Sequence, residues 1–244
     1  METKQMKMNI ENYMNEVKYA LREPILERDV GEPPIDALKS FFLLLPLLNG
    51  EKWTEQLNTT AVAVGAVHAA FDAHDMIDLT KVDNKQQQLT VLSGDHYSGI
   101  HYRLLASIPD FDFIRTLSQT IGQINEVKTI FHEGAPDSPE KLIKAIRKIE
   151  GGCITEFLNV FDFSRYTSLV NTALPLLWLH STTELNKTGQ VDGFRANLKD
   201  VDAQQAIRIL STELQEAVEE ASFLMPFLQS AIRQLTIPLL ENPI

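Results

Sequence analysis

The sequence predicts an all-α protein, and three observations carry that prediction. Apolar residues recur at i, i+3, i+4 and i+7 through most of the 244 residues, the repeat that lines one face of a helix. No run of alternating apolar and polar residues interrupts that pattern, so no strand is expected. The breaks between periodic segments carry helix punctuation, with proline near the openings and glycine near the closings.

Composition bounds the rest. Hydrophobic residues make up 44% of the chain, with 11 Gly, 11 Pro and 1 Cys, which fits a globular core and excludes disordered, collagen-like and disulfide-stapled classes. The length fits one domain over 1–244, with an N-terminal helical hairpin in 1–50, a central core in 51–134 and C-terminal helices in 138–244. The lone Cys153 has no disulfide partner in the chain, and it is expected to be buried rather than reactive. No run approaches the roughly 20 apolar residues of a membrane span, and Met1 to Asn15 lacks a secretory apolar segment, so a cytoplasmic protein is expected.

Thirty-three acidic against 22 basic residues give a net charge of −11, which opposes binding to nucleic acid and to anionic membranes. A chain of this charge that grips phosphates needs a local basic island. No arginine occurs between Arg28 and Arg103.

The first helix carries Met6, Ile10, Tyr13, Met14, Val17 and Leu21 on one face and stops at Pro24. Pro33-Pro34 opens a second, running through Phe41 and Phe42 towards Gly50 with a kink at Pro46. A third runs from Trp53 to Leu79 and is apolar on every side from Ala61 to Phe71, the mark of a centrally packed helix. A fourth covers Gln86 to Ile108 and a fifth Phe111 to His132. Ser138-Pro139-Glu140 opens a sixth that Gly151-Gly152 is expected to close. Helix follows from Ile154 to Lys187, broken near Asp162 to Ser164 and strained at Pro175. Thr188 to Lys199 reads as a polar loop. Asp202 with Gln205 resembles a capping box opening a helix to Leu224, and a last helix follows Pro226. Nine or ten helices result.

The informative stretch is Phe71-Asp-Ala-His-Asp-Met-Ile-Asp78, at the C-terminal end of the all-apolar helix. Asp72, Asp75 and Asp78 sit three apart at the negative end of the helix dipole, where carboxylates are disfavoured and call for a compensating cation or a partner's arginine. Solvated surface acids are the plain alternative. His74-Asp75 resembles the doublet of helical metal-dependent phosphohydrolases, but no histidine precedes His68, so imidazoles from separate helices do not converge. A carboxylate cluster holding Mg²⁺ against a diphosphate is the other metal reading.

The run from Val67 to Phe131 resembles the middle of trans-polyprenyl diphosphate synthases. It is most similar to component I, the small non-catalytic subunit of two-component heptaprenyl diphosphate synthases. The catalytic enzymes carry a His-Asp-Asp-x-x-Asp motif at the end of a central helix, a basic Arg-Arg-Gly-x-x-Thr loop, and Gly-Asp in the next helix. Here His74, Asp75 and Asp78 stand on a degenerate copy of the first motif, the loop reads Asn84-Lys-Gln-Gln-Gln-Leu-Thr90 without arginine, and Leu92-Ser-Gly-Asp-His-Tyr-Ser-Gly99 keeps Gly94-Asp95.

The resemblance implies an all-α bundle of the isoprenoid-synthase type with residues 51–134 as a degenerate synthase core. It implies a non-catalytic subunit that pairs with a catalytic polyprenyl diphosphate synthase, lines the path of the growing prenyl chain and supports menaquinone side-chain synthesis. Mg²⁺ is then expected in the catalytic partner, with Asp75 and Asp78 only a weak candidate pair for it here. No Asp-Asp-x-x-Asp occurs later in the chain, and Glu213, Glu216, Glu219 and Glu220 read as a solvated face. Lys81 and Lys85 replace the missing arginines only as point charges. The resemblance places partner contacts on Gln86 to Ile108 and Phe111 to Phe131, with Tyr97, Ile100, Leu104, Phe113, Ile114 and Ile121 as candidates against an ordinary core role. A homodimer without the partner is a further expectation. Two other readings stay open: a competent Mg²⁺-dependent enzyme acting on prenyl diphosphates, and a helical adaptor unrelated to isoprenoids.

Overall fold

The computed structural model describes residues 2–77, 84–108, 110–134, 136–188, 195, 197–198 and 200–241. They form α-helices and no strand. The helices are α1 (Glu2–Leu21), α2 (Pro24–Asp29), α3 (Ala37–Leu43), α4 (Leu45–Leu48), α5 (Glu55–Asp75) and α6 (Lys85–Ala106). There follow α7 (Phe111–Glu133), α8 (Pro139–Ile146), a π-helical turn (Arg147–Gly151), α9 (Gly152–Val160), a 3₁₀ turn (Ser164–Tyr166), α10 (Thr167–Thr188), α11 (Asp200–Glu220) and α12 (Pro226–Glu241). The chain groups into two compact units, Met1–Ile114 and Arg115–Ile244, and the division falls inside α7.

In the first unit α5 is the central element. Ala61, Ala63, Val64 and Ala66 have no exposed surface, and Val67, His68, Ala69 and Ala70 are buried beside them. Helices α1 and α6 pack along α5, and α3 packs on α1. The α1 contact is close: the Tyr13 hydroxyl donates to the Ala61 carbonyl at 2.9 Å. A Cβ on Gly65 would stand 2.5 Å from that hydroxyl and 2.8 Å from Val17 Cγ2, so only glycine fits there. Burial pushes the Tyr13 phenol up, keeping it a neutral donor.

Prolines open more elements than the sequence suggests. Pro24 ends α1 and also stands at the first position of α2, where the Glu23 carboxylate accepts from the Ile25 and Leu26 amides at 2.8 and 2.9 Å. The helix expected from Pro33-Pro34 begins at Ala37, capped by Asp36, and breaks at Leu44 so that Pro46 opens α4. Helix α5 is capped by Thr54 and ends at Asp75; the expected end at Leu79 lies outside the described residues.

In the second unit Ser138 caps α8 as expected, accepting from the Lys141 amide at 3.3 Å. Gly151-Gly152 does not close that helix. Both glycines keep helical dihedrals (φ −107° and −57°), and the chain passes through the π turn into α9. The reason is packing: a Cβ on Gly152 would meet Lys148 Cδ at 3.3 Å, Thr120 Cγ2 at 3.4 Å and Ile124 Cδ1 at 3.5 Å. The break comes later, at Asp162, whose φ of 64° is left-handed. Pro175 lies within α10, and α11 begins at Asp200, which puts Asp202 inside the helix rather than at its cap. Helix α11 ends at Glu220, short of the expected Leu224. The expected loop from Thr188 to Lys199 falls largely outside the described residues.

Gly65→Ala is expected to destabilise the chain by about 1–3 kcal/mol, because overpacking outweighs the helix propensity gained. Urea unfolding of this variant alone and combined with Tyr13→Phe checks the assignment: removing the hydroxyl recovers part of the loss.

Candidate functional site

The acidic end of α5 is built from three helices of the first unit. Asp72 lies one turn before the helix end, and Lys39 of α3 reaches its Oδ1 at 3.2 Å with both side chains largely shielded (11% and 27% exposed). The cation that compensates this carboxylate against the helix dipole is therefore the chain's own lysine, 33 residues upstream.

His74 faces α6. A Cβ on Gly94 would lie 2.6 Å from His74 Cε1 and Nε2, so the imidazole occupies the space that glycine leaves on the α6 backbone. Its Nε2 stands 3.7 Å from Asp95 Oδ1. The two motif fragments singled out in the sequence, His74-Asp75 and Gly94-Asp95, thus meet in space, and close approach explains the glycine. Asp75 is exposed and Asp78 lies outside the described residues, as does Lys81. No group of three His, Cys, Asp or Glu side chains among the described residues is placed to hold a metal ion. Mg²⁺ asks for carboxylate oxygens turned towards a shared point. Asp72 is turned to Lys39 and position 74 offers an imidazole lying on α6; of the candidate pair, Asp75 is exposed and Asp78 lies outside the described residues.

The second unit holds an ion pair that the sequence does not announce. Arg147, in the π turn, donates through Nε to the Asn171 carbonyl at 2.9 Å and through Nη2 to Glu213 Oε2 of α11. Glu213 is therefore an ion-paired, half-buried acid, whereas Glu216, Glu219 and Glu220 are exposed as expected. The only advance signal is the arginine itself, beside a glycine pair that reads as a stop.

The candidate contact residues divide by burial. Tyr97, Ile100 and Phe113 are 2%, 6% and 1% exposed and belong to the chain's own core; Leu104, Ile114 and Ile121 are half-buried. Helix α6 exposes Lys85, Gln88, Leu92, Asp95, Gly99, Tyr102 and Ala106, spaced alternately three and four residues apart, with Gln86, Val91 and Arg103 exposed beside them. On α7 the large exposed apolar side chains are Phe111 and Ile130. Cys153 and Trp178 are buried, and Trp53 is half-buried with its indole N–H donating to Asn58 Oδ1 at 3.3 Å. Burial lowers the pKa of His180 and brings His101 down to about 4, so both are neutral packing groups at pH 7.

With this geometry in hand, comparison with known proteins is informative. The family model described as heptaprenyl diphosphate synthase subunit 1 matches residues 23–223. The chain belongs to that family. Heptaprenyl diphosphate synthase component 1 of Geobacillus stearothermophilus is 33% identical over 95 residues, which are 39% of this chain and 43% of that protein. The alignment thus spans less than half the length of the relative. Among solved structures, an isoprenoid synthase family member from Thermotoga neapolitana superposes with a TM-score of 0.69 at 16% identity, covering 96% of this chain and 98% of that one. Heptaprenyl diphosphate synthase from Staphylococcus aureus superposes with a TM-score of 0.63 at 13% identity, covering 96% and 91%. At these identities the likeness shows the fold: the all-α isoprenoid-synthase type.

Gly94→Ala separates the His74 contact from a generic glycine effect. It is expected to lower stability in the parent chain, yet to raise it by about 1 kcal/mol when His74 is already alanine, since helix propensity then acts alone. Thermal melts of the two single variants and the double variant measure this reversal.

Proposed function

We propose that this chain is the non-catalytic subunit of a two-component polyprenyl diphosphate synthase of the heptaprenyl class. Its role is to pair with a catalytic subunit, help shape the channel for the growing product and so support menaquinone side-chain synthesis. The observation that carries the pairing is the exposed face of α6, where Leu92, Asp95, Gly99, Tyr102 and Ala106 repeat at the three–four spacing of a helix–helix seam. Leu92 and Tyr102, each 53% exposed, are the large apolar members, and Gly99 and Ala106 leave room for a partner helix to approach. Asp95 is the charged member and suits a basic group across the interface.

The catalytic deficit is electrostatic. Prenyl elongation begins by ionising an allylic diphosphate, and stabilising that leaving group is the largest part of the task. With Asp72 held by Lys39, His74 laid on α6 and no arginine between Arg28 and Arg103, the described residues at the end of α5 offer few of the ligands and forks it needs. The partner supplies them, with its Mg²⁺. The product explains the need for a second chain: about 35 carbons carry roughly 20 kcal/mol of hydrophobic transfer energy that must stay out of water during growth.

Assaying each purified subunit alone and then mixed tests the reading. Prenyl transfer is expected only from the mixture, and Leu92→Asp with Tyr102→Asp is expected to weaken association at least ten-fold by sedimentation while the chain's circular dichroism is unchanged. Prenyl transfer by this chain alone contradicts it.

A further inference from the structure

The second unit contains a groove of about 940 Å³ between α7 and the α8–α9 wall, within the size range of small-molecule sites. One wall is apolar: Val127, Ile130 and Phe131 of α7, with Phe131 buried and Ile130 left 63% exposed at the mouth. The facing wall carries Lys141, Lys144 and Lys148, a stripe at i, i+3 and i+7. In a chain of net charge −11 this is the basic island that the composition otherwise lacks.

The cations are not equivalent. Lys141 is paired with Asp137 at 2.7 Å, and Arg147, also on the groove, is engaged by the Asn171 carbonyl and by Glu213. Lys144 and Lys148 have no ion pair among the described residues and stand one turn apart on the same wall. The absence of a Cβ at Gly152 lets the stem of Lys148 lie across the helix, since that Cβ would meet Lys148 Cδ at 3.3 Å. Acids also line the groove: Glu126 on α7, Asp137 paired with Lys141, and Glu156 on α9.

We propose that this groove binds an anionic amphiphile, its phosphate or diphosphate head held by Lys144 and Lys148 and its apolar tail laid along Val127, Ile130 and Phe131. Ammonium groups hold phosphate as point charges, without the geometric demand of a guanidinium fork, which suits retention of a passing molecule rather than its ionisation. That the tail is isoprenoid rests on the subunit reading above; the groove and its lysines do not. A prenyl diphosphate and a single-chain phospholipid share this chemistry.

Isothermal titration of the full chain with farnesyl diphosphate, farnesol, inorganic pyrophosphate and lysophosphatidate tests it. Farnesyl diphosphate is expected to bind more tightly than farnesol or pyrophosphate, and at least ten-fold more tightly than lysophosphatidate, with affinity falling as salt rises. Lys144→Gln with Lys148→Gln is expected to cost at least ten-fold for farnesyl diphosphate and leave farnesol unchanged. Ile130→Asp, at an exposed position, weakens both. Unchanged affinity in the lysine double variant overturns the site, and tighter lysophosphatidate binding overturns the isoprenoid assignment. Subunit association is read separately by sedimentation, so failure of the groove leaves the pairing reading standing, and the reverse.

Discussion

The first unit depends on one constraint: α5 is buried on all sides, so its neighbours must approach where side chains vanish. Gly65 admits Tyr13 and Val17 of α1, and Gly94 of α6 admits His74 from α5 itself. A helix fixed on both flanks holds Asp72 against α3 while Asp75 is left exposed. The carboxylate at Asp72 must then be neutralised where it stands, and Lys39 does this from α3. Partial shielding strengthens the attraction over that of a surface pair and makes loss of either partner costly.

That arrangement has a functional consequence. In a diphosphate-ionising enzyme the charges at the end of such a helix must remain available for metal and substrate. Here Asp72, just before the motif, carries a lysine, and an imidazole wedged against Gly94 stands at the first motif position. The isoprenoid-synthase scaffold survives while its central helix end serves packing. In the proposed reading, function moves outward, to the exposed face of α6 and to the lysine-walled groove of the second unit.

The sequence makes the local part of this legible. The uninterrupted apolarity of Ala61 to Phe71 marks α5 as central, the limits of α6 and α7 lie within a residue or two of expectation, and Ser138-Pro139 caps α8 as its chemistry requires. It misleads where one residue has two uses. Pro24 stops α1 and starts α2 because Glu23 supplies the cap, and Gly151-Gly152 continues a helix because glycine there makes room rather than a turn. Long-range pairs stay hidden. Nothing in the spacing joins Lys39 to Asp72 or Arg147 to Glu213, since each pair exists only once distant helices are packed. The same holds for the candidate contacts: Tyr97, Ile100 and Phe113 are apolar in sequence, and only their burial shows that they face inward.

A double-mutant cycle on Lys39→Met and Asp72→Asn, followed by urea unfolding with and without Mg²⁺, tests most directly whether the acidic helix end is neutralised from within. The account predicts a coupling of about 1–3 kcal/mol between the two side chains that Mg²⁺ does not alter. A coupling near zero, or stability that rises with Mg²⁺ in the parent and not in Asp72→Asn, contradicts it.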